Sequence, residues 1–97
     1  MKVRVLKKES NELKIEIEGE GHTFCNALQK VVLEDDDVEV AGYDVPHPMV
    51  SNPTFYVRTK GRRKPETVLE GAAKRLQKRS DEFRVAFEKA TEAWGKS

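Results

Sequence analysis

His22 and Cys25, three residues apart, and His47 further on are the residue types that bind zinc. Structural zinc sites pair ligands at both ends of a short segment. A fourth ligand is missing here and Cys25 has apolar neighbours, so a buried thiol and a capping or loop histidine are the simpler reading. Cys25 could act with a histidine as a thiolate nucleophile, but nothing marks an orienting acid or an oxyanion hole. The run Glu34-Asp35-Asp36-Asp37 offers oxygens to a hard cation, yet consecutive side chains diverge and the spacing suits neither calcium nor magnesium. A solvated helix terminator explains it. Gly19-Glu20-Gly21 stands before a helix, as phosphate-binding loops do, without their further glycines and lysine. A turn is the simpler account. The residues predict no catalytic group, no cofactor and no metal.

One feature remains for nucleic acid. The loop Lys60, Gly61, Arg62, Arg63, Lys64 follows a strand carrying Phe55 and Tyr56, and basic loops beside exposed aromatics suit single strands. A solvated loop is simpler, and a small nucleic-acid-binding module using Lys60, Arg62, Arg63 and Lys64 is the second reading. Against it stands a net charge of only +1, far from the excess that drives non-specific binding to polyanions.

The elements that must position these groups fit one domain over 1–97, long enough to bury only a modest core. A single cysteine excludes an internal disulfide. No apolar stretch reaches the roughly 20 residues that span a bilayer, and Met1-Lys2-Val3-Arg4-Val5 lacks a signal-peptide core. A reducing, intracellular location without a membrane is expected.

Alternation predicts strands over Lys2 to Lys7 and Glu12 to Glu18, joined as a hairpin through Glu9-Ser10-Asn11. Thr23 is a good N-cap for a helix to about Glu34, with Phe24, Ala27, Leu28, Val31 and Val32 as its stripe. A third strand, Val38 to Val45, switches apolar parity at Ala41-Gly42, which predicts a bulge there. A proline loop follows, then a fourth strand from Phe55 to Lys60. Pro65 and Glu66 suit the start of a last helix running to about Trp94. The order is ββαββα.

That last helix would be roughly 43 Å long against about 23 Å for a seven-residue strand. It should overhang its own sheet with Phe83, Phe87 and Trp94 on the distal half, and apolar stripes of this kind mark partner surfaces. A break near Arg79-Ser80 that folds the second half back is the alternative. The overhang predicts that the isolated chain self-associates, and that Phe83→Asp abolishes partner binding while sparing the sheet. Gly71, costly inside a helix, suggests a close backbone approach to the sheet.

His22-Thr23-Phe24-Cys25-Asn26-Ala27-Leu28 and, after the acidic run, Ala41-Gly42-Tyr43-Asp44-Val45-Pro46-His47-Pro48, followed by Phe55-Tyr56-Val57-Arg58-Thr59, resemble the L subunits of archaeal RNA polymerase. That family is similar to the eleventh-type small subunit of eukaryotic polymerase II and, more distantly, to the bacterial alpha N-terminal domain. The motif residues here are His22, Thr23, Asn26, Gly42, Tyr43, Pro46, His47 and Pro48. The resemblance implies an α+β two-layer sandwich: a four-stranded, mainly antiparallel sheet with two helices, the C-terminal one long. It implies a non-catalytic assembly subunit that heterodimerises with an alpha-like subunit, archaeal D, before the large catalytic subunits join, and so an enzyme only as part of a DNA-directed RNA polymerase. Direct nucleic-acid contact is not part of this reading. The archaeal form implies the cytoplasm. On this view Phe24, Leu28, Val31, Val32, Leu76, Phe83 and Phe87 meet the partner's helices.

Overall fold

The structure, a computed structural model, describes residues 1–45, 52–76 and 80–96. Its elements are β1 (Lys2–Lys8), β2 (Glu12–Glu18), α1 (His22–Val32), β3 (Val38–Asp44), β4 (Thr54–Thr59), α2 (Pro65–Arg75) and α3 (Ser80–Lys96). The strands form one sheet in the order β1-β2-β4-β3, with antiparallel neighbours throughout.

Period-two patterning decides which face is wet. Val3 stands opposite Ile17 and Val5 opposite Ile15, while Ile15 stands opposite Phe55, and Leu13 opposite Val57. Opposed residues share a face, so one side of the sheet is apolar and the helices cover it. Leu13, Ile15, Ile17, Phe55 and Val57 are fully buried, each contributing about 1.5 to 3 kcal/mol. The other face is charged: Arg4 pairs with Glu16 at 3.2 Å and Lys7 with Glu12 at 2.9 Å.

Bulges adjust this pattern at both edges. In β1 the register shifts between Val5 and Lys7, which turns Lys8 to the helical side, where its Nζ meets Glu66 Oε2 at 3.1 Å. In β3 the shift falls between Val38 and Val40, not at Ala41-Gly42 as the parity suggested. Ala41 and Tyr43 then oppose Val57 and Phe55 on the covered face. The switch in pattern was real, but the extra residue that produces it sits nearer the start of the strand.

Helix α1 is capped two residues earlier than Thr23 implied. Gly21 is the N-cap with extended backbone (φ −131°, ψ −155°), and its carbonyl accepts from Cys25 N–H at 3.2 Å. No side chain caps that end, and Thr23 lies exposed inside the helix.

The main correction concerns the C-terminal helix. Pro65 and Glu66 do open a helix, but it stops at Arg75, and Leu76 is extended (φ −76°, ψ 139°). A second helix, α3, starts at Ser80 and lies against β1 and α2. The physical reason is coverage. The α1 and α2 helices leave the β1 side of the apolar face open, and a straight helix would carry Phe83 and Phe87 past the sheet into water. Folding back buries both, at 0% and 1% exposure, together with Ala90.

Gly71 also departs from expectation. A methyl group built there meets nothing within 4 Å, so no close approach requires glycine. Gly71→Ala is expected to stabilise the chain by about 0.5 to 1 kcal/mol through helix propensity and reduced unfolded-state freedom. A raised urea midpoint with unchanged slope is the check.

Candidate protein interface

Residues three and four apart on α1 and α3 form one aromatic and aliphatic cluster. Phe24 of α1 lies 5.6 Å, centroid to centroid, from Phe83 of α3, with the rings tilted by 48°. Phe83 in turn stacks on Phe87 at 5.8 Å and 5°. Such ring pairs contribute about 0.5 to 1.5 kcal/mol beyond their buried area. Of the seven residues expected at a partner interface, Phe24, Leu28, Val32, Phe83 and Phe87 are therefore already buried within this chain. Val31 and Leu76 are half-buried at the margin of the same cluster. Exposed apolar groups remain beside it, with Val85 at 45%, Leu33 at 49% and Trp94 at 40%. An open recess of about 720 Å³ runs between α3 and the start of β1, lined by Met1, Val3, Val85 and Ala86 among others.

Two side chains of α1, His22 and Gln29, hold the helix onto the edge strand β3. The Tyr43 hydroxyl lies 2.8 Å from His22 Nδ1 and the rings are 5.4 Å apart, in a hydrogen bond whose direction follows the imidazole tautomer. About two turns along, Gln29 Nε2 donates to the Ala41 carbonyl at 3.1 Å. His22 and Tyr43 are thus joined across 21 positions, a pairing that two separate sequence motifs did not reveal. Asn26 is half-buried and Gly42 faces open space, with nothing within 4 Å of a methyl group built there. Pro46, His47 and Pro48 lie outside the described residues.

The chemistry considered at the outset finds little geometry to use. Burial pushes the Cys25 thiol up to about 11, with Glu20 adding to the shift, so it is a protonated thiol at neutral pH rather than a nucleophile. Among the described residues no group of three or more His, Cys, Asp or Glu side chains could hold a metal ion. No helix of the described residues is long and apolar enough to cross a membrane.

Carboxylates instead tie loops together. Asp35 Oδ2 receives Arg63 Nη2 at 2.8 Å and Asp35 Oδ1 receives the Asp37 N–H at 2.9 Å, which together hold the Asp35 carboxyl below the usual range. Glu12 is lowered by the Tyr56 hydroxyl, at 2.7 Å, and by Lys7. Both groups have depressed values in the fold, so their stabilisation is complete above the ordinary carboxylate pKa of about 3.9 to 4.3 and is lost as pH falls below it. Urea midpoints measured from pH 6 to pH 2 should decline across that window, and Asp35→Asn with Glu12→Gln should flatten the decline.

Residues 12–86 match the family described as the RNA polymerase Rpb3/Rpb11 dimerisation domain. The chain belongs to this family. It is 41% identical to DNA-directed RNA polymerase subunit Rpo11 of Methanocella arvoryzae over 93 residues, covering 96% of this chain and all of that one. Subunit Rpo11 of Pyrococcus furiosus is 42% identical over 95 residues, with the same coverage of both chains. The crystal structure of DNA-directed RNA polymerase subunit L from Thermoplasma acidophilum superposes with a TM-score of 0.69 at 30% identity, over 98% of this chain and 93% of that one. The family match begins at Glu12 and ends within α3, so it includes Phe83 but leaves β1 and the distal part of α3 outside.

Proposed function

We propose that this chain is a non-catalytic assembly subunit of a DNA-directed RNA polymerase. It pairs with an alpha-like subunit, the D type in an archaeal enzyme, to form the platform on which the large subunits that carry the active site assemble in the cytoplasm. As an Rpb3/Rpb11-type small subunit, its role is structural. The observation that carries this reading is the match of residues 12–86 to a dimerisation domain, a stretch that contains α1, α2 and the Phe24–Phe83 contact between helices.

The proposed contact set is Phe24, Leu28, Val31, Val32, Leu76, Phe83 and Phe87. Because five of these are covered by the chain itself, pairing requires α3 to exchange its contacts with β1 and α2 for contacts with the partner's helices. Self-coverage also removes the reason to expect the isolated chain to self-associate through Phe83 and Phe87.

The nucleic-acid reading loses its stacking platform. Phe55 is fully buried, and Tyr56 is half-buried with its hydroxyl donated to Glu12. Purification of the complex from its native source, with identification of the co-eluting chains, tests the proposal. An alpha-like subunit and the large polymerase subunits should co-elute. Their absence would overturn it.

A further inference from the structure

The loop between β4 and α2 is built more firmly than its composition suggests. One side chain, Asn11 in the β1–β2 turn, donates through Nδ2 to the Gly61 carbonyl at 2.9 Å, to Thr59 Oγ1 at 3.2 Å and to the Arg63 carbonyl at 3.4 Å. Thr59 Oγ1 itself donates to the Arg63 carbonyl, and the Thr59 N–H donates to the Asn11 carbonyl at 2.9 Å. On the other side Arg63 is anchored by Asp35, and the Lys60 N–H donates to the Asp37 carbonyl at 2.8 Å. Gly61 takes the left-handed turn at φ +56° that closes the loop.

These bonds use the Arg63 side chain and leave the side chains of Lys60, Arg62 and Lys64 exposed, without a hydrogen-bond or ion-pair partner among the described residues. Three unpaired cations thus project from a backbone already held in place, so docking an anion there would cost little loop ordering. Arg62 and Lys64 also line an open recess of about 630 Å³ beside the β1–β2 turn. Glu9 and Glu66 line that same recess, and exposed Asp36 and Asp37 border the loop on its other flank. A continuous phosphate backbone would have to run past these carboxylates. A peptide can place its acids on the cations and its amides or a basic residue beside the carboxylates.

We propose that the Lys60 to Lys64 loop docks an acidic segment of a large polymerase subunit, after the chain has paired with its alpha-like partner. This rests on the assembly role proposed above and names a second contact for it, at the strand-end rim rather than on the helical cluster. Charge complementarity at such a rim acts mainly on association rate and salt sensitivity.

The test uses the full chain in a reconstituted polymerase, comparing the unaltered protein with R62E/K64E and with the charge-preserving R62K/K64R. Pairing with the alpha-like subunit is read by size-exclusion chromatography, and incorporation with the large subunits by competition against unaltered chain. R62E/K64E should pair normally but lose roughly tenfold in incorporation at low salt, a deficit that shrinks as salt rises. R62K/K64R should compete equally. Equal incorporation of R62E/K64E, or its failure already at the pairing step, would overturn the proposal. So would a single-stranded oligonucleotide that binds the assembled complex through Arg62 and Lys64. The unaltered chain's own pairing reports on the assembly role, and the ratio of variant to unaltered chain reports on the loop, so the two fail separately.

Discussion

Phe83→Ala is expected to cost the folded chain about 3 to 5 kcal/mol, the range for emptying a buried phenylalanine site. Phe83 is fully buried and touches two other rings, one on α1 and one on its own helix, so its removal leaves a cavity between elements that cannot close without moving a helix. A domain of this size has only about 5 to 15 kcal/mol in total. The urea midpoint should fall by more than roughly 1 M. Val85→Ala, two residues along on the exposed side of α3, should change stability by no more than about 0.5 kcal/mol. Equal effects at the two positions would show that α3 does not lie on the sheet in the isolated chain. Phe83→Asp, which the extended-helix expectation treated as a clean probe of binding, would put a carboxylate into the same core, so it would report on folding first.

Fixing α3 to β1 should weaken pairing with an alpha-like subunit sharply. Val3 and Ala90 line one recess between these elements, so cysteines at both positions can be joined by a short bis-maleimide. The native Cys25 is fully buried and its thiol is held at about 11, so it should react slowly. If the partner's helices need Phe83 and Phe87, the cross-linked chain has almost no competent conformer. Apparent affinity scales with that fraction and should fall by roughly tenfold or more relative to the uncross-linked double variant. Undiminished pairing would mean that the partner docks on a surface that α3 leaves open, with Val31, Leu33 and Val85 the first residues to examine. A stability curve on each sample separates lost pairing from lost folding.

The hairpin of β1 and β2 and the opening of α2 were readable from local pattern. Leu13, Ile15 and Ile17 alternate with charged residues, and a strand with such a pattern has one face it can bury. Pro65 followed by Glu66 suits a helix start whatever lies around it. The family resemblance was carried by short motifs, of which His22 and Tyr43 join α1 to β3, and these too can be read without knowing their partners.

What only the tertiary structure decided has a common cause: each case depends on competition between distant surfaces. A near-continuous helical periodicity from Leu69 to Trp94 is compatible with one helix or two, because periodicity specifies which face is apolar and not what covers it. The uncovered side of the sheet at β1 favours the break, and no local signal near Leu76 measures that area. Asn11 reads as an ordinary turn residue, yet it holds a loop about 50 positions away. Bonding of Asp35 to Arg63 spends the one arginine that the basic run uses internally and leaves Lys60, Arg62 and Lys64 outward. The amino-acid sequence by itself determined the strands, the opening of α2, the polar and apolar faces and the family. Packing decided where the last helix goes and which charges are left without partners, because those outcomes depend on which surfaces the folded chain brings together.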